Sequence, residues 1–194
     1  MAYSITSITD DCYPGTTCLI NKLDIHDEAM LANAEASIVL AKASFLDQHP
    51  INGGYDFEHY KQIHYYLFCD LYDWAGEIRT VNISKKGTAF VPAAEIAACA
   101  AACFERLSGF SAIGFSKHEL AVEVADFYST INMLHPFREG NGRTQRIFFK
   151  QWIQHLGYTL DLTNVDTDEF MISTIQAAHG VMDTLVDFFE KSIL

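Results

Sequence analysis

Basic residues are scarce in this chain. Lysine and arginine number 13 against 25 aspartates and glutamates over 194 residues, for a formal net charge of −12. So acidic a protein repels phosphodiester backbones and anionic lipid, which argues against nucleic acid and membrane surfaces as general partners. Cysteine occurs five times but never as Cys-x-x-Cys, and no Cys/His spacing matches a zinc site. An odd number of unpatterned thiols fits a reduced compartment, so a cytoplasmic location is expected and a catalytic thiol is not. No signal-peptide pattern opens the sequence, and no apolar run reads as long enough to span a membrane. Repeats, linkers and low-complexity tracts are missing too, so residues 1–194 are expected to form one domain. What is plentiful is apolar material: 49% hydrophobic residues, with 14 Phe and 9 Tyr, enough for one sizeable core.

The pattern along the chain is mostly helical. Residues 1–23 read as an irregular N-terminal segment with a turn at Pro14-Gly15. A helix is predicted from Asp24 to about Asp47, with Leu31, Ala34, Ile38, Ala41 and Phe45 on its inner side, ended by His49-Pro50 and Gly53-Gly54. Asp56 caps a second helix reaching about Tyr72. Ile78 to Ile83 has β character, Ser84 to Gly87 reads as a turn, and Thr88 to Val91 returns, giving a β-hairpin. Pro92 opens a helix reaching Leu107, with Gly109 past its end. Cys99 and Cys103, four apart in that alanine-rich helix, are expected to be small core residues. Ser116 and Glu119 form a capping box for a helix to about Met133. Two shorter helices, near Thr167–Ala178 and Val181–Ser192, finish the chain. The expected fold class is mainly α: a helical bundle with one β-hairpin.

One stretch concentrates chemistry: His135-Pro-Phe-Arg-Glu-Gly-Asn-Gly-Arg-Thr-Gln-Arg146. Gly140 and Gly142 flank Asn141, a run able to aim successive N–H groups inward as an anion-binding nest. A helix follows, with Ile147, Phe148, Gln151 and Trp152 at helical spacing. The nest therefore sits at a helix N-terminus, where unpaired N–H groups and the helix dipole favour phosphate. Arg143 and Arg146 are three apart and share a helix face, offering guanidinium forks to more than one phosphate group. Glu139 supplies a hard carboxylate where Mg2+ (or Mn2+) would bridge protein and phosphates. His135 precedes Pro136, which biases it towards an extended conformation, and its ordinary pKa near 6.5 suits a base at neutral pH. Each part alone is commonplace. Their conjunction in twelve residues points to phosphoryl or nucleotidyl transfer by positioning and electrostatics.

The run resembles the signature of the Fic family, His-x-Phe-x-(Asp/Glu)-Gly-Asn-Gly-Arg-x-x-Arg, at every fixed position. Pro14-Gly15-Thr16 with Asn21-Lys22-Leu23, and Asp73-Trp74-Ala75-Gly76-Glu77-Ile78-Arg79, extend the likeness over most of residues 13–190. The resemblance implies a Fic-type helical bundle whose hairpin, residues 77–91, is a flap near the active site, with catalytic loop and helix at 135–156. It implies protein adenylylation: AMP moves from ATP to a Ser, Thr or Tyr hydroxyl of a target protein, itself included, and pyrophosphate leaves. By that likeness His135 deprotonates the hydroxyl and Glu139 holds the metal. Gly140, Asn141 and Gly142 form the anion hole, with Asn141 at the α-phosphate, while Arg143 and Arg146 bind the outer phosphates. Phe137 anchors the loop. Gly142 and Arg146 separate this chain from the phosphorylating Doc-type branch, which has lysine and no arginine there.

Two alternatives stay open: another donor (UTP, GTP or CDP-choline) in the same site, or a non-catalytic nucleotide-binding or adaptor module. The intact His135 speaks against the latter. The target protein is expected to dock as an extended segment on the flap, whose tip holds Lys85, Lys86 and Gly87. Many members of the family are restrained by a helix of pattern Ser/Thr-x-x-x-Glu-Gly/Asn whose glutamate meets the last arginine, here Arg146. No glutamate in this chain has Ser or Thr four residues before it, and the nearest candidate, Ser37 to Lys42, has Ala41 in its place. Helix 24–47 is accordingly expected to be a packing element. Either a small antitoxin supplies the glutamate to Arg146, or the protein has no such brake; a homo-oligomer is also compatible. The seven other histidines carry no partner motif and read as structural or exposed.

Overall fold

The structure, a computed structural model, describes residues 4–5, 11–85, 87–163 and 165–194. Its helices are α1 (Glu28–Gln48), α2 (Phe57–Phe68), α3 (Ile96–Ser108), α4 (Lys117–Leu134), α5 (Asn141–His155), α6 (Thr167–Ala178) and α7 (Asp183–Ser192). A short 3-10 turn, Ala93–Glu95, leads into α3. Helix starts lie where the capping chemistry puts them. The Asp27, Asp56 and Asp166 side chains accept from backbone N–H groups of the first turns of α1, α2 and α6. Ser116 and Glu119 close the capping box of α4 reciprocally.

Helix α4 is the spine. It packs against α3, α5, α6 and α7, and α2 lies along α5. Leu120, Val124, Phe127 and Ile131 of α4 meet Phe148, Phe149, Trp152 and Ile153 of α5 in one core, all at most 1% exposed. Each such side chain contributes about 1.5–3 kcal/mol of burial free energy, so this pair of helices is the rigid floor on which the 135–140 loop is mounted. Of the two thiols expected inside α3, Cys103 is half-buried and Cys99 is exposed.

Helix α1 departs from its expectation. It starts at Glu28, and the face that packs on α2 is Leu31, Glu35, Val39 and Leu46, whereas Ala41 and Phe45 are exposed. The inner stripe therefore carries charge. Lys42 pairs with Asp70 at 2.5 Å and donates to the Tyr66 carbonyl at 2.8 Å, and Glu35 is buried. By length and mean hydropathy (21 residues, 1.3) α1 reaches what a membrane-crossing helix needs, against the reading of the sequence. Its two inward charges, each paired within the chain, and its packing on α2 place it in this domain.

The hairpin is shorter than the 77–91 span expected. Strands β2 (Ile83–Lys85) and β3 (Thr88–Ala89) are antiparallel, and β1 (Ser4–Ile5), inside the segment read as irregular, pairs with the other edge of β2. Lys86, read at the tip, lies outside the described residues. Residues 78–82 form no strand because buried Arg79 takes up the local carbonyls. Its guanidinium donates to Val81 O (2.7 Å), Val91 O (2.5 Å) and His135 O (2.8 Å). The Arg79 N–H also donates to the Pro136 carbonyl at 2.8 Å. The base of the hairpin is thus tied to the 135–140 loop by hydrogen bonds.

Candidate active site

The loop between α4 and α5 begins and ends in the left-handed region, at His135 (φ 41°) and Gly140 (φ 79°). His135 was expected to be extended; instead it is the C-cap of α4. The N–H of His135 donates to Ile131 O, and the Arg79 fork holds its carbonyl, so tertiary bonds impose a backbone that a residue before proline rarely adopts. The constraint aims the ring. Nδ1 lies 2.7 Å from the Asn132 carbonyl, which can only accept, so Nδ1 carries the proton and the lone pair sits on Nε2. The imidazole stacks on Phe90, the residue after β3, with centroids 3.7 Å apart. Burial lowers its pKa to about 3, with Lys85 and Arg79 adding to the effect. The ring is a neutral base at physiological pH.

Three side chains hold the loop. Phe137 is fully buried, stacked 3.8 Å from His64. His64, also buried, accepts the Gly76 N–H on Nδ1 (2.8 Å) and uses Nε2 to reach the Glu139 carbonyl (3.0 Å). Asn141 accepts the Phe137 N–H and donates to the Phe137 carbonyl, both at 2.8 Å. The Asn141 amide is thereby committed to the loop, which leaves its backbone N–H for an anion. That N–H belongs to the first turn of α5, whose leading N–H groups have no intrahelical acceptor.

The two glycines differ. At Gly140 an added Cβ would lie 2.3 Å from the Phe68 ring, and φ is positive, so the fold itself demands glycine. At Gly142 an added Cβ would meet only Arg146 Nη1, at 3.6 Å. Space is not the constraint there. Gly142 opens onto a cavity of about 620 Å3 that His135, Arg146 and Lys85 also line. Leu162, Phe170, Met171 and Ile175 contribute apolar lining. A pocket lined by cations, a helix head and apolar side chains suits a nucleoside triphosphate with its base. Tyr128 lines the cavity, while Phe127 and Phe148 are core residues.

The arginines also part company. Arg146 lines the cavity and is exposed; among the described residues it meets no carboxylate within ion-pair distance. Arg143, expected beside it on the phosphates, does not line the cavity. Its Nη2 lies 2.5 Å from Glu35 Oε1 on α1 and 3.3 Å from Glu139 Oε1, with the guanidinium over the Phe68 ring. Glu35 was not singled out by the sequence reading. Burial, then the nearby Glu35 charge, raises the pKa of Glu139. No cluster of three ligating side chains occurs among the described residues. Glu139 does not itself line the cavity but directly precedes the Gly140–Gly142 run, and a single carboxylate is the donor set that Mg2+ takes when phosphate oxygens and water complete its shell, so Glu139 fits the metal implied.

A model of the Fic/DOC family matches residues 54–153. The probable protein adenylyltransferase Fic of Salmonella typhimurium is 34% identical over 93% of this chain and 90% of its own length. The protein adenylyltransferase VbhT of Bartonella schoenbuchensis is 32% identical over 93% of this chain, which spans only 38% of that longer protein. Among solved structures, the BepC protein of Bartonella tribocorum with bound AMPPNP superposes with a TM-score of 0.87 at 26% identity, covering 95% of this chain and 96% of that one.

Proposed function

The chain belongs to the Fic/DOC family, and on that footing we propose that it transfers AMP from ATP to a hydroxyl group of a target protein. The observation that carries the proposal is the shared cavity. His135, with its lone pair on Nε2, lines the same space as Gly142 and Arg146. Base, anion hole and phosphate-binding cation therefore face one ligand.

The reaction follows from that arrangement. Nε2 of His135 takes the proton of the target hydroxyl, whose oxygen forms a bond to the α-phosphorus. The bond from that phosphorus to the bridging oxygen of the β-phosphate breaks, and pyrophosphate leaves. N–H groups at the head of α5, from Gly142 and its neighbours, hold the charge growing on the α-phosphate. Arg146 engages the outer phosphates. Glu139 would hold Mg2+ or Mn2+, which when bound neutralises charge across the phosphates. The target segment aligns along β3, whose Thr88 lines the cavity and whose continuation, Phe90, stacks on the base. Main-chain pairing at such an edge tolerates varied target sequences. Control in trans is supported by the exposed Arg146, where a small antitoxin's glutamate would compete with the γ-phosphate.

The test is transfer of label from ATP radiolabelled at the α-phosphate, with Mg2+, purified protein and lysate, beside His135→Ala. Labelled protein bands that vanish in the variant support the reading. Labelling that persists in His135→Ala, or appears only with UTP, GTP or CDP-choline as donor, overturns it.

A further inference from the structure

Glu35 is a carboxylate at 7% exposure on a helix whose neighbouring positions are mostly apolar. Such a group is retained inside only when paired. Its two oxygens are both engaged: Oε2 by the buried Tyr72 hydroxyl and Oε1 by Arg143 Nη2 at 2.5 Å. The same Nη2 also reaches Glu139 Oε1, at the longer distance of 3.3 Å. Phe68, under the guanidinium at 4.9 Å, limits where else Arg143 can go. One cationic nitrogen is thus shared by two carboxylates and drawn towards the one on α1.

The arrangement decides how much of Glu139 is left for a metal. An arginine closed fully on Glu139 would occupy the oxygen a divalent cation needs. With Glu35 present the three side chains sum to one negative charge, and the guanidinium is held at a distance. Without it the sum is zero and nothing opposes closure of Arg143 on Glu139. Resting on the reading of the site given above, we propose that Glu35 is a positioning residue that holds Arg143 off Glu139 and so sets the affinity of the site for its divalent cation, without touching substrate. Tyr72 fixes Glu35 in that pose.

Mn2+ with AMPPNP, followed by electron paramagnetic resonance, reads this directly and independently of turnover. Glu35→Gln, matched in size, is expected to weaken Mn2+ binding by about 10–100-fold, the usual effect of removing a residue that orients a metal ligand. Tyr72→Phe shifts it in the same direction by less. In transfer assays the metal concentration for half-activity rises while kcat at saturating metal stays within about threefold, a split that general loss of structure would not give. The double-mutant cycle is the sharpest arm: in an Arg143→Gln background Glu35→Gln loses most of its effect on Mn2+ binding. Unchanged Mn2+ binding in folded Glu35→Gln, or an equal shift with and without Arg143, overturns the proposal. If Glu35→Gln does not fold, Tyr72→Phe decides alone, and unchanged Mn2+ binding there overturns it. Wild-type protein that binds no Mn2+ with AMPPNP would instead sink the transferase reading, and the role of Glu35 with it.

Discussion

The His135 imidazole lies flat on the Phe90 ring, with planes 10° from parallel and centroids 3.7 Å apart. A residue of the flap thereby covers the base and takes part in its burial. The pKa of His135, lowered to about 3, is the consequence. A base already neutral at pH 6 has no proton to lose, so transfer is expected to lack the acid limb near pH 6.5 that an exposed histidine would give. Replacing His135 by Ala should cost about 10²–10⁴-fold in rate, with ATP binding kept. A kinetic pKa near 6.5 that disappears in His135→Ala would contradict this burial.

The same shift makes a prediction about stability. The native pKa lies below the unfolded value of about 6.5, so under pH 6.5 the unfolded chain binds the extra proton. The contribution of a neutral His135 is intact above pH 6.5 and is lost as pH falls towards 3. Its slope in that window is up to about 1.4 kcal/mol per pH unit. Urea unfolding at pH 7.5 and pH 5 should show wild type losing more stability on acidification than His135→Ala. Equal losses would mean that the ring titrates normally in the fold.

Gly140 and Gly142 should separate fold from function. Alanine at Gly140 meets the Phe68 ring at 2.3 Å in a left-handed backbone. The cost is about 1–2 kcal/mol for the backbone, with overpacking of about 1–3 kcal/mol added, seen as a fall in melting temperature. Alanine at Gly142 clashes with nothing, so the melting temperature holds while affinity for ATP falls. A Gly142→Ala protein that binds ATP normally would remove this glycine from the phosphate site.

How far the sequence revealed this can be seen residue by residue. Asp56 and Ser116 announced their helices, and Thr167–Ala178 matches α6 end to end, because capping and periodicity are local chemistry. The signature spelled out His135, Gly142 and Arg146, which line one cavity. It did not reveal Glu35, 108 residues from its partner Arg143. An apolar stripe through Leu31, Ala34, Ile38, Ala41 and Phe45 looked better than the true one, because the true one includes Glu35 and Lys42. The signal present was a carboxylate in line with Leu31, Val39 and Leu46. Arg79 was missed for a similar reason: its hydrogen bonds to the carbonyls of Val81, Val91, His135 and Pro136 link segments that no spacing rule connects.

Asn141 tests whether the loop or the phosphate uses its amide. Both side-chain bonds go to Phe137, and the residue is 1% exposed. Asn141→Ala leaves a buried N–H and a buried carbonyl unpaired, at about 1–3 kcal/mol each. The melting temperature and the transfer rate should therefore fall together. Loss of ATP affinity with unchanged melting temperature would instead give the amide to the α-phosphate.

Arg146 should behave in the opposite way. It is exposed, lines the cavity, and meets no carboxylate among the described residues. Its removal therefore breaks no ion pair of the resting fold, and Arg146→Ala is expected to change stability by less than about 0.5 kcal/mol. A charged hydrogen bond to phosphate contributes about 1.5–3 kcal/mol, so affinity for ATP should fall by roughly 10–100-fold, and affinity for AMP, which lacks the outer phosphates, much less. The ratio of the two losses locates the arginine along the triphosphate. The same openness predicts that the isolated wild-type chain labels proteins from ATP without any activating substitution. Labelling that needed a substitution elsewhere in the chain would show a brake that acts without touching Arg146.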